Sequence, residues 1–141
     1  MKIALVNPYW TYDGSIYFGC REPHLPLELG YSKQLLEVDG HEVLMLDGQL
    51  QGLDNAALAD RVADFGAGMT VVTTAPTYLF WRCAPPELRV PAEFLRHLGS
   101  RGGRTVAVGP HGSATPAPSA ANATSTRVSW SPGRRGNWRR R

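Results

Sequence analysis

The sequence predicts an α/β domain with a doubly wound parallel sheet that is incomplete at its C-terminal end. Three observations lead to this prediction. Short apolar runs alternate with segments whose apolar residues recur at helical spacing. The connection between one run and the next is always long enough for a parallel crossover. After Pro116 the alternation stops and the composition changes.

The first strand and the first helix are predicted on either side of a long loop, residues 9–26. Ile3 to Val6 is a continuous apolar run, typical of a strand buried on both faces. A helix is predicted to start near Pro26 and to end at Asp39-Gly40, where Gly40 suits the left-handed position. The apolar residues with helical spacing in this segment are Leu27, Tyr31, Leu35 and Val38.

The second strand is predicted at residues 41–46, closed by Asp47-Gly48. Asp54 or Asn55 can cap the helix that follows. Leu58, Val62 and Phe65 give this helix a single apolar stripe.

The third and fourth strands are predicted at residues 69–74 and 105–108. The first is rich in β-branched residues, which favour strands. Between the two strands lie a second long loop, residues 75–90, and a helix with Pro91 in its first turn. The fourth strand ends at Gly109-Pro110-His111.

Charge divides the chain into two predicted regions, a domain at residues 1–116 and a disordered basic tail at residues 117–141. The domain holds nine basic and twelve acidic side chains, whereas the tail holds six arginines and no acid. The high overall isoelectric point therefore reflects the tail and does not indicate a nucleic-acid partner for the domain. No strand or helix period persists in the tail, and we interpret it as a possible frameshift product that replaces the last helix and strand.

The remaining composition predicts a cytoplasmic protein. Cys20 and Cys83 are the only cysteines, too few for a disulfide framework and consistent with reduced thiols. No apolar run is long enough to cross a membrane, and the start of the chain does not resemble a signal peptide.

Both long loops follow strands, so they are predicted to lie at the carboxyl edge of the sheet, where doubly wound folds bind ligands. Aromatic residues are concentrated in these loops and would flank a flat ligand or cover another domain. They are Trp10, Tyr12, Tyr17, Phe18, Tyr78, Phe80 and Trp81.

Sequence signatures of common enzyme sites are absent. The first strand is followed by Asn7-Pro8 and not by a glycine-rich phosphate-binding turn, and the chain has no Walker loop. No Ser-His-Asp or Cys-His arrangement stands out. Cys20 and His24 share a loop, but two ligands do not make a metal site. We assign no catalytic residue and no metal ligand.

Several segments together resemble the N-terminal cobalamin-binding domain of cobalamin-dependent radical S-adenosylmethionine proteins. The similarity covers residues 1–116. It is carried by Ile3–Trp10 (IALVNPYW), by Pro26 before the first helix, by Gly40-His41-Glu42-Val43, by Thr73-Thr74-Ala75-Pro76 and by Val108-Gly109-Pro110-His111.

The resemblance implies a Rossmann-like (flavodoxin-like) fold whose carboxyl edge seats the corrin ring. A corrin is a broad, largely apolar disc that needs a ledge of backbone and small residues. The residues expected to border cobalamin are Asn7, Pro8, Tyr9, Thr73, Thr74, Ala75, Gly109, Pro110 and His111.

Two family motifs are missing. The Asp-x-His-x-x-Gly motif that supplies a lower cobalt ligand does not follow the first strand, which fits radical S-adenosylmethionine relatives, since these commonly lack it. The three-cysteine motif of the radical domain is also absent. The chain by itself is therefore expected to bind neither the iron–sulfur cluster nor S-adenosylmethionine and not to act as an enzyme. The expected partners are the corrinoid and, in the full-length family, the radical domain.

Two other functions remain open on the sequence alone. The domain could bind a flavin or a nucleotide, with residues 9–26 over the ligand. The arginine-rich tail, with Trp138 between its arginine pairs, could contact nucleic acid, which we consider the weaker interpretation.

Overall fold

The computed structural model describes residues 1–10, 25–75 and 88–109, and these residues form four strands with helices between every two of them. The predicted tail and the greater part of both long loops lie outside them. The elements in chain order are β1 (Lys2–Asn7), α1 (Leu27–Val38), β2 (Glu42–Asp47), α2 (Gly48–Gln51), α3 (Asn55–Phe65), β3 (Met69–Thr73), α4 (Arg89–Leu98) and β4 (Arg104–Val108).

The four strands make one parallel sheet in the order β2-β1-β3-β4. Ile3 pairs with Val43 on one side and with Met69 on the other, and Met69 pairs in turn with Arg104. The connection from β1 leads outward to β2, whereas the connection from β2 returns past β1 to β3. The direction of winding therefore reverses between β1 and β3, the place where such sheets bind ligands.

Helices cover both faces of the sheet, each with its own apolar core. On one face, Leu58 and Val62 of α3 and Phe94 of α4 pack on Val6 and Val72, all fully buried. On the other face, Leu29 of α1 packs with Ile3 and Leu5. The predicted α/β fold with a doubly wound parallel sheet is thus confirmed. The predicted absence of the last helix and the last strand concerns residues outside the described ranges.

The interpretation of α1 from its apolar spacing needs one correction. The helix is present with the predicted limits, but the four residues that predicted it lie on its outer side. Leu29 and Leu36 face the sheet instead. The spacing of these four residues was misleading because α1 carries apolar residues on two opposite sides. Spacing alone does not determine which of the two sides packs on the sheet.

The other elements follow local signals with small differences. The helix α2 was not predicted; it is a single turn in which the Asp47 carboxylate accepts a hydrogen bond from Leu50 N at 2.9 Å. The helix α4 starts at Arg89, so that Pro91 is in its first turn as predicted. None of the described helices combines the length and the apolar character needed to span a membrane.

Removal of the α3 cap should cost a moderate amount of stability. Asp54 Oδ1 accepts from Ala57 N at 2.8 Å, which satisfies an amide at the helix start. We expect Asp54→Ala to lower the free energy of unfolding by about 1 kcal/mol in urea denaturation. Asp64→Ala, at an exposed position of the same helix, is the matched control and should change it by less than about 0.5 kcal/mol. Equal effects of the two variants would contradict the capping role.

Candidate functional site

Three adjacent strands end in polar residues at the carboxyl edge of the sheet. Asn7 pairs in register with Asp47, and the pairing of Val6 with Val72 places Thr73 on the other side of Asn7. The three residues therefore form one row, Asp47–Asn7–Thr73. Their side chains lie on the α1 face because each follows Leu5, Met45 or Val71 by two positions along its strand.

Hydrogen bonds join this row into a buried network centred on Asn7. The Asn7 amide donates to Asp47 Oδ2 at 2.8 Å, and Asn7 Oδ1 accepts from Thr73 Oγ1 at 2.9 Å. The same oxygen accepts from Trp10 Nε1 at 2.8 Å. All four residues are at most 5% exposed. Asn7 is thus occupied by protein partners and fixes the carboxyl ends of β2, β1 and β3 relative to one another.

The turn after β1, residues 8–10, is held near the end of β2 by hydrogen bonds. Tyr9 N donates to Asn55 Oδ1 at 3.1 Å, and Gln49 Nε2 donates to the Trp10 carbonyl at 3.0 Å. Gly48 allows the close approach, since a Cβ atom at this position would lie 2.6 Å from Tyr9 N. The Asn55 amide in turn donates to Glu93 Oε2 at 3.0 Å, which ties the turn to α4. The first residues of the long loop are therefore part of the rigid domain.

The ends of β3 and β4 are joined by Thr74 and Gly109. Thr74 donates from both its backbone N and its Oγ1 to the Val108 carbonyl, at 2.8 and 3.1 Å. Gly109 has φ +124°, and a Cβ atom there would lie 2.6 Å from Thr74 Oγ1. With Ala75 beside them, small residues form this part of the edge, called the small-residue ledge below (Thr74, Ala75 and Gly109).

The structure brings the predicted binding residues together at one edge. The described members of the predicted set end β1, β3 and β4, and they lie on both sides of the point where the winding reverses. Buried among them are Asn7, Pro8, Thr73 and Thr74, whereas Tyr9 is 38% exposed, Ala75 is half-buried and Gly109 is exposed. Pro110 and His111 lie outside the described residues. A ligand at this edge would therefore contact Tyr9, Ala75 and Gly109 directly. The buried residues would lie beneath these three and hold them in position.

Sequence reasoning missed several residues that build this edge. Trp10 was grouped with aromatics predicted to flank a ligand or cover another domain, yet it is 2% exposed and its indole N–H donates to Asn7. Gln49 received no role and Asn55 only that of an alternative helix cap, although both form hydrogen bonds with the turn. The three-residue spacing of Asn7 and Trp10 was the one available signal. The contacts of Gln49 and Asn55 join residues about 40 positions apart and have no local signature.

No described histidine is near the carboxyl edge. His41 precedes β2 at the opposite edge, where its Nδ1 lies 3.3 Å from the amino group of Met1. His97 is near the end of α4, and its carbonyl accepts from Arg101. Among the described residues, no three His, Cys, Asp or Glu side chains are grouped as a metal site would require.

Compared with known proteins, the chain matches no protein-family model, no curated protein and no solved structure.

Proposed function

We propose that this chain binds cobalamin, as the cofactor-binding module of a radical S-adenosylmethionine protein whose cysteine motif is not in this sequence. The observation that supports the proposal most is the convergence described above. Residues selected by resemblance from three separate strands lie at one edge of a doubly wound sheet, on both sides of the winding reversal. This is the position at which sheets of this kind bind their ligands.

The residues at this edge fit a broad and largely apolar ligand. The small-residue ledge has no side chain larger than threonine, and its accessible part consists of Gly109 and the half-buried Ala75, since Thr74 is only 2% exposed. Tyr9 provides an exposed aromatic ring at the border. The network around Asn7 makes its hydrogen bonds internally, and Thr73 within it directly precedes Thr74 of the ledge.

Bound cobalamin would supply the chemistry of its cobalt ion, which in the resembling family carries a methyl group or tunes a radical reaction. The described residues would only bind and orient the corrin. Since neither His41 nor His97 is at this edge, we expect no nitrogen ligand to cobalt from the described part of the chain.

A nucleotide is less well supported by the same edge. Dinucleotide sites place a helix N-terminus directly after the first strand, joined by a short glycine turn. Here β1 ends at Asn7 and α1 begins at Leu27. The turn between them begins with Pro8 and is fastened over β2 by Gln49 and Asn55.

The proposal predicts a direct binding experiment. The purified full chain, incubated with hydroxocobalamin and passed through a desalting column, should retain corrinoid and shift its visible absorbance. Ala75→Trp places a bulky side chain on the ledge and should raise the dissociation constant by about tenfold or more, equivalent to about 1.4 kcal/mol. Ser100→Trp, in the exposed turn at the opposite edge, is the matched control and should bind as the unaltered chain does.

Two outcomes would overturn this function. The unaltered chain could elute free of corrinoid with an unchanged spectrum, or Ser100→Trp could weaken binding as much as Ala75→Trp. Retention of a flavin or a nucleotide sugar in place of the corrinoid would favour the nucleotide-binding alternative. Salt-sensitive retention on DNA that disappears when residues 117–141 are deleted would favour nucleic-acid binding.

A further inference from the structure

The helix α1 is apolar on two opposite sides, and among the described residues only one of these sides has packing partners. Leu29, 3% exposed, and Leu36 pack on the sheet. On the outer side are Leu27, Tyr31, Leu35 and Val38, called the outer stripe, which are 62, 74, 68 and 74% exposed. A surface helix normally carries polar residues on the side away from the core, so four large apolar residues there indicate a contact surface.

The other long helices of this chain do not share the feature. The exposed positions of α3 include Asp60, Arg61 and Asp64, and those of α4 include Arg96 and His97. These are the charged outer faces expected of helices that meet water. The outer stripe is therefore specific to α1 and is not explained by a generally apolar surface.

The outer stripe continues into a hollow between the first turns of α1 and the edge strand β2. The hollow has a volume of about 390 Å³ and almost entirely apolar walls. Leu27 and Tyr31 belong to both features, and Met45 of β2 forms part of the wall. Leu25 at the rim is 70% exposed. Stripe and hollow together make one continuous apolar surface.

We infer that this surface is a dimer interface, in which the α1 helices of two copies pack antiparallel along their outer stripes. The residues of the stripe follow one another by four, four and three positions, the spacing of a seam that packs against another helix. About a two-fold axis, Leu27 of one copy lies opposite Val38 of the other, and Tyr31 lies opposite Leu35. The stripe is thus complementary to itself, as an isologous interface requires.

The exposed apolar area around α1 is compatible with packing of a second copy of the chain. Leu25 and the four stripe residues together expose on the order of 500 Å² of apolar surface, at the upper end for the largest patch of a monomer. A stable dimer buries about 800 Å² on each partner, so these residues would form the apolar centre, and exposed neighbours such as Glu28 and Gln34 would contribute to the remainder.

The oligomeric state of the full chain tests the inference. Sedimentation equilibrium over a range of concentrations should show a monomer–dimer equilibrium. Tyr31→Glu and Leu35→Glu should each weaken it by about tenfold or more, because a carboxylate would be buried at the centre of the interface. Arg96→Glu on α4 is the matched charge control and should leave the equilibrium unchanged. Circular dichroism of each variant should show that the fold is retained.

Disulfide cross-linking tests the antiparallel arrangement without depending on the charge variants. In a chain with Cys20 and Cys83 replaced by serine, Leu27→Cys mixed with Val38→Cys should form a cross-linked dimer in air. Each variant alone should form none, since residue 27 of one copy meets residue 38 of the other. A monomer at all concentrations, a dimer that survives both glutamate variants, or one that is lost on deletion of residues 117–141 while unaffected by those variants would overturn the inference.

Discussion

Replacing Asn7 with leucine should lower the free energy of unfolding by about 4 kcal/mol, the larger of the two main effects that we expect. The two side chains have the same branching, but the methyl groups of leucine are larger than the amide, so overpacking adds to the loss of hydrogen bonds. Asn7 donates to Asp47 and accepts from Thr73 and Trp10, and all of these partners are buried. Leucine would leave the Thr73 hydroxyl and the Trp10 indole N–H without these bonds, each costing about 1–3 kcal/mol. Asp47 Oδ2 would lose its bond as well, while Asp47 Oδ1 would keep the one from Leu50 N.

Urea denaturation of the full chain measures this loss, and near-ultraviolet circular dichroism reports on the Trp10 indole. Thr73→Val is the graded control, because it removes a single donor from Asn7 Oδ1 and leaves the bond from Trp10 in place. We expect it to cost about 1 kcal/mol. If Asn7→Leu were no more destabilising than Thr73→Val, the network would not hold the strand ends together as described.

Gly103→Ala should destabilise the fold by about 3 kcal/mol, through backbone strain and a steric clash together. Gly103 has φ +63° and precedes β4. A Cβ atom there would lie 2.3 Å from the Gly68 carbonyl oxygen. That oxygen accepts from Arg104 N at 3.0 Å, a hydrogen bond that joins the residue before β3 to the first residue of β4. Alanine would therefore push β4 away from β3.

Alanine variants of two other glycines distinguish the effect of the steric clash from the effect of the backbone strain. Gly66 has φ +69° but open space around a Cβ atom, so Gly66→Ala should cost only the strain, about 1 kcal/mol. Gly30 is inside α1 with open space and ordinary helical geometry, so Gly30→Ala should stabilise by about 0.5–1 kcal/mol. Urea denaturation of all three variants should give this order. A Gly103→Ala chain as stable as Gly66→Ala would show that the two turns are not in contact.

The elements of this fold were predictable because their signals are local. The run Ile3–Val6 is buried on both faces and needs no partner to be recognised as a central strand. Asp54 caps α3 through an amide three residues away, and Gly66 ends the helix in the left-handed conformation. The helix α2 was missed because one turn is too short for a period to appear.

The edge that carries the candidate site was predictable for a related reason. Parallel strands bring their carboxyl ends to one side, so Asn7, Thr73 and Gly109 had to lie near one another once the strands were known. What could not be predicted is which of them are exposed. Asn7 and Thr73 are enclosed by Trp10 and Asp47, and that enclosure depends on contacts across 40 or more residues.

The sequence by itself determined the order of strands and helices, their approximate limits and the edge at which the strand-end residues collect, since each of these follows from spacing, capping and chain direction. Only the tertiary structure decided that Asn7 is a buried junction, that Trp10 belongs to the domain interior and that the outer stripe of α1 is exposed. The physical reason is that period and propensity act within a few residues. Burial and hydrogen-bond partners depend on which segments, distant in the sequence, come into contact. Since α1 has apolar residues on two sides, either side could have packed on the sheet.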